Sequence, residues 1–114
     1  MMAKTLYFVS HVTFHQVNNG VDDVVFQAVN KEDRVYARKG SALRYMDFLT
    51  KQYQESTKVN FEDCTENYLE NNNTDNNTWY PKNATIVSIM EQKVHDEYGF
   101  RHMVKVISYN LQEN

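Results

Sequence analysis

Apolar and polar residues alternate along the C-terminal part of the chain. From Thr85 to Leu111, TIVSIMEQKVHDEYGFRHMVKVISYNL predicts a long β-hairpin. A two-residue turn at Tyr98-Gly99 would set Val94 opposite Met103, Met90 opposite Ile107 and Ile86 opposite Leu111, making one side of the ribbon apolar throughout. Glu91, Lys93, His95, His102, Val104 and Val106 then fall on the other side, which is mixed and suited to solvent or a partner.

The N-terminal segment repeats the pattern. Between Lys4 and Val17, Leu6, Phe8, Val12 and Phe14 share one side, and Tyr7, Val9, His11, Thr13 and His15 the other. Asn18-Asn19-Gly20 predicts a three-residue turn pairing Val17 with Val21, with Phe14 beside Val24 and Val12 beside Phe26. A second turn at Asn30-Lys31-Glu32-Asp33 leads to a third strand, Arg34 to Arg38, that completes a meander. The outward face of this meander would show Tyr7, His11, His15, Asp23, Gln27, Arg34, Tyr36 and Arg38.

Gly40-Ser41 interrupts the alternation, and Ser41 suits the N-cap of a helix over Ala42 to Gln54. Leu43, Met46, Leu49 and Tyr53 recur at helical spacing, Tyr45 and Phe48 widen the stripe, and Arg44, Asp47 and Lys51 share the far side. That stripe should cover the sheet. Beyond Glu55 the pattern weakens: Asn60 would cap a short helix turning Phe61, Cys64 and Tyr68 inward, a polar Asn-rich run follows, and Trp79-Tyr80-Pro81 would pin the chain back onto the body. The whole reads as a single α+β domain over residues 1–114: an antiparallel sheet of about five strands, in the order β-β-β-α-β-β, with one main helix packed on one face.

Composition narrows the functional classes. Hydrophobic residues are 41% and charged residues 24% of 114, in the range of folded proteins, and the net charge of −3 speaks against a generally basic nucleic-acid coat. Eight Tyr and six Phe exceed what a core of this size needs, which places some tyrosines at the surface, where they favour recognition. A lone Cys64 can form no internal disulfide and points to a reducing, cytoplasmic location. No apolar run reaches membrane-spanning length, and the first residues lack the cleavage site of a secretory signal.

Four constellations could carry chemistry. His11, His15, His95 and His102 all fall on outer faces in these registers. His95 and His102 are directly opposed and able to share an ion, whereas His11 and His15 would stand about 13 Å apart. Two imidazoles make an incomplete zinc site, so no cofactor or metal is expected. At the strand-to-helix junction, Arg34, Arg38, Lys39 and Arg44 surround a helix start at Ser41, and free N–H groups beside guanidinium groups suit an anion. Residues 31–44 hold five basic and two acidic side chains, and residues 58–75 one basic and five acidic, so an acidic loop bearing Glu62, Asp63, Glu66, Glu70 and Asp75 could imitate nucleic-acid phosphates. Cys64, with no histidine near it in sequence, reads as a buried thiol rather than a nucleophile.

Ala37-Arg38-Lys39-Gly40 before a helix resembles a short stretch in small phage proteins that sequester signalling nucleotides. The small, Asn-rich and Tyr-rich chain is similar in style to accessory proteins of phages and mobile elements, some of which block defence enzymes such as CRISPR nucleases. The expectation is a non-enzymatic protein-binding module that occupies a surface of a nuclease or nucleic-acid-handling complex through Tyr7, His11, Arg34, Tyr36 and Arg38. The alternative is a nucleotide or nucleic-acid binder using Arg38, Lys39, Ser41 and Arg44. The same aromatic sheet face would serve a homo-oligomer.

Overall fold

Two long strands that would each bury one face need a helix to cover them, and the computed structural model, which describes residues 4–18, 24–71 and 84–111, provides it. The elements run β1 (Lys4–Asn18), β2 (Val24–Tyr36), α1 (Lys39–Thr57), β3 (Phe61–Asp63), α2 (Thr65–Asn71), β4 (Ala84–Gln92) and β5 (Phe100–Leu111). They form a five-stranded antiparallel sheet of order β2-β1-β5-β4-β3, with α1 as the main helix on one face.

The strand count and the single main helix agree with the pattern, and the order of elements agrees roughly, with the third strand following α1 instead of preceding it. The expected turn at 30–33 is absent, because β2 runs through it without a break and absorbs the expected third strand. Polar character marked those residues as a turn, yet on an edge strand both faces meet solvent, and residues 27–35 are all exposed. β1 pairs with β2 as Phe14↔Ala28 and Ser10↔Asp33 rather than in the register of a tight turn, with Val29 as an extra residue in a bulge between Thr13 and Phe14. The fifth strand comes instead from Phe61–Asp63, where a helical turn was expected. The turn at 19–20 and Trp79-Tyr80-Pro81 lie outside the described residues.

Which face α1 covers is set by β1 and β5. Val9, Val104 and Val106 are fully buried against Ala42, Met46 and Leu49 of α1 and Phe61, with Tyr7 and Tyr36 packed at the margin. Ala42 lets the helix backbone approach, and flat β-branched side chains fill the gap. The expected interior of Phe8, Phe14 and Ile107 is therefore on the opposite face. There Phe8 pairs with Ile107 and meets Tyr109 edge-on at 6.3 Å, and the Arg101 guanidinium lies 4.6 Å over Phe14. Only Met90 of that group packs toward α1.

The last hairpin explains why the two sides were mixed. Met90 is opposite Val104 and Glu91 opposite Met103, a slip of three positions from a turn centred on Tyr98-Gly99, and this odd slip turns the 88–91 part of β4 over relative to β5, up to the register shift between Ile86 and Ser88. The connection is longer than two residues because Asp96 organises it. Its carboxylate accepts from the N–H groups of Tyr98 and Phe100, its backbone N–H donates to the Phe100 carbonyl at 2.7 Å, and Gly99 takes φ +85°. Among the described residues no helix is long and apolar enough to cross a membrane.

Candidate functional site

Residues expected on an open docking face divide into two groups, because α1 lies across that face. Tyr7 is half-buried against the core and His11 is buried, so neither offers a docking surface. Arg34 and Tyr36, farther out on edge strand β2, meet the flank of α1 instead. Arg34 is exposed, hydrogen-bonds the Tyr36 side chain and holds its guanidinium 4.5 Å over the Tyr45 ring; these contacts raise its pKa further above the ordinary arginine value.

Tyr45 is the centre of this rim. Its ring lies 6.0 Å from that of Tyr36 and 6.2 Å from that of Phe48, the latter pair nearly parallel at 20°. Phe48 does not join the core as the helical stripe implied: it is 59% exposed. The sequence signal was its position four residues after Arg44 and three before Lys51, on the polar side of the helix. Arg34, Tyr36, Tyr45 and Phe48 thus form one accessible aromatic and cationic ledge between β2 and α1.

At the helix start, Arg38 is the N-cap residue and α1 begins at Lys39, so Ser41 lies inside the first turn and does not cap. Among the described residues no side chain caps this end, and no acid sits in its first turn. Arg38, Lys39 and Arg44 are exposed around it, with Arg44 Nη1 3.9 Å from where a side chain on Gly40 would begin.

The histidines are not a set on one surface. His95 is exposed in the turn, its Nδ1 2.8 Å from the Asp96 carbonyl oxygen, and His15 packs on Phe100 at 4.5 Å. His11 and His102 come together in the interior instead, with His11 Nε2 3.0 Å from His102 Nδ1. Thr13 Oγ1 is 3.2 Å from the same His102 nitrogen, and the Tyr53 ring covers both imidazoles at 4.6 and 4.2 Å. Burial lowers the pKa of each ring; for His102, burial and the neighbouring His11 bring it down to about 4. The expected His95 and His102 pair is undone by the register, which brings Gln92 to His102.

Gln92 is fully buried and satisfied. Its Nε2 donates to Thr57 Oγ1 at 2.8 Å and the Val59 carbonyl at 3.0 Å, and its Oε1 accepts the His102 N–H at 2.9 Å. On the other face Glu91 accepts from Tyr68 Oη at 2.9 Å and pairs with Lys93 at 3.1 Å, while burial and that carboxylate push the Tyr68 phenol up to about 12. Cys64 is buried, as expected. Among the described residues no three His, Cys, Asp or Glu side chains gather so as to hold a metal ion. No family model, curated protein or solved structure matches the chain.

Proposed function

We propose that this chain is a non-enzymatic protein-binding module that acts by occupying a surface, in the manner of phage accessory proteins that block a nuclease or defence complex. The observation that carries the reading is the Arg34, Tyr45 and Phe48 ledge. Arg and aromatic side chains dominate the centres of protein interfaces, and the 59% exposed Phe48 adjoins Tyr45 and Arg34 in one patch rather than standing alone. The ledge stands on a helix and a paired strand, so little order is lost on docking.

The test immobilises the wild-type chain and a Tyr45→Ala/Phe48→Ala variant of unchanged circular dichroism, identifies proteins retained from host lysate, and assays the retained nuclease at equimolar dose. Retention and inhibition by the wild type and loss of both in the variant support the reading. Equal behaviour of the two overturns it.

A second reading has its own observation: three exposed cations, Arg38, Lys39 and Arg44, around an uncapped helix start with no acid in its first turn. It makes the chain a nucleotide or single-stranded nucleic-acid binder, and it requires affinity that falls steeply with salt and is lost in Arg38→Ala/Lys39→Ala.

A further inference from the structure

The two edges of the sheet differ in a way the monomer does not use. One is β3, three residues long; the other is β2, thirteen residues long, paired among the described residues with β1 alone and exposed over residues 27–35. A long edge strand offers a free row of backbone donors and acceptors to another strand, and chains usually defend it with charges and bulges. Here the defence is Lys31-Glu32-Asp33-Arg34 and the bulge at Val29. A run of one sign would repel a second copy. This run is balanced, so it selects a register instead of forbidding all of them.

We infer that β2 pairs antiparallel with β2 of a second copy about a two-fold axis at Glu32, joining two five-stranded sheets into one. A two-fold axis perpendicular to a sheet must set one residue against its own copy, so the candidate registers are few. With Glu32 on the axis, Lys31, whose Nζ is 4.0 Å from Asp33 Oδ2 of its own chain, also faces the partner's Asp33 on both sides, and Val29 faces the partner's Val35. These valines are each 53% exposed in the monomer. Glu32 is the one like-charged opposition, and an Arg34 from each copy reaches it diagonally. With Lys31 on the axis, two ammonium groups oppose each other and Asp33 faces Val29. With Asp33 there, Val35 faces Lys31 and Val29 has no counterpart within the strand. With Asn30 there, Lys31 faces Val29 and Asp33 faces Gln27, so no charge meets its opposite.

The inference shares Arg34 with the binding reading, and its test remains distinct because Lys31 and Asp33, whose charges select the register, pair with Val12 and Ser10 on the face away from α1 and its aromatic ledge. The test is sedimentation equilibrium of the full chain over a concentration series, with twice 13.5 kDa expected at the upper end. Lys31→Glu and Asp33→Lys each set like charges opposite one another twice per dimer and should weaken association roughly ten-fold, whereas the double variant should recover it. In a Cys64→Ser background, Glu32→Cys should cross-link to its own copy on mild oxidation, because only the axis residue faces itself. A single-chain mass throughout overturns the inference. So does a dimer indifferent to the single charge reversals, or one in which position 32 does not cross-link.

Discussion

His11 Nε2 lies 3.0 Å from His102 Nδ1, joining two residues 91 positions apart in the chain. At that separation one ring must donate and the other accept, which requires that at least one be neutral. The pair is roofed by Tyr53, with Thr13 beside it and Gln92 bound to the His102 backbone, while Glu32 acts by its charge on His11 and Asp96 on His102.

Stability should therefore fall on mild acidification. Both folded-state pKa values lie below the ordinary histidine value, so the folded chain resists protons that the unfolded chain accepts. The contribution is fully present above about 6.5, the unfolded histidine value, and is lost as pH drops through that point. For His102 the loss levels off near its folded value of about 4. Urea midpoints measured from pH 7.5 to 4 should show the decline, and His102→Asn should flatten it; a midpoint independent of pH in that window contradicts the pairing.

Gln92 ties β4 to the end of α1, to the segment before β3 and to β5 through one buried amide. Gln92→Leu keeps the volume but leaves the Val59 carbonyl, the Thr57 hydroxyl and the His102 N–H without this partner. The expected cost is about 3 kcal/mol, read as a lower urea midpoint at unchanged slope.

Two apolar positions should separate packing from recognition. Val106→Ala opens a void in the fully buried core and should cost about 2 kcal/mol. Phe48→Ala removes a mostly exposed ring and should change stability by less than about 0.5 kcal/mol while abolishing partner retention.

Gly99 adopts φ +85° at the tip of the last hairpin, and its carbonyl accepts the Gln16 N–H at 2.8 Å. A methyl there would have room, with Gln16 Cβ and His15 Nε2 both 3.6 Å away, so Gly99→Ala tests the backbone conformation alone. About 1 kcal/mol of destabilisation is expected by thermal or urea unfolding, and a neutral result would mean that the turn can relax.

Local pattern carried the fold class far. Leu43, Met46 and Leu49 at helical spacing marked α1, the alternation of β1 and β5 marked two strands, and Gly99 marked the last turn, because each is a preference of a short stretch for its own backbone conformation. Both faces of β1 are apolar, however, with Phe8 and Phe14 on one and Val9 on the other, so periodicity alone could not say which one the helix takes. That choice, and with it the fate of Tyr7 and His11, was made by register and fit. The Asp96 turn slips residues 88–91 of β4 by an odd number of positions, and Ala42 packs with Val9, Val104 and Val106 beneath the helix. The sequence determined β1, α1 and the strands of the last hairpin, while the unbroken run of β2 through 30–33 and the short strand β3 at Phe61–Asp63 came with the assembled sheet. Tertiary packing decided which side chains meet, because contacts such as His11 with His102 and Arg34 with Tyr45 arise only when separate elements share a layer.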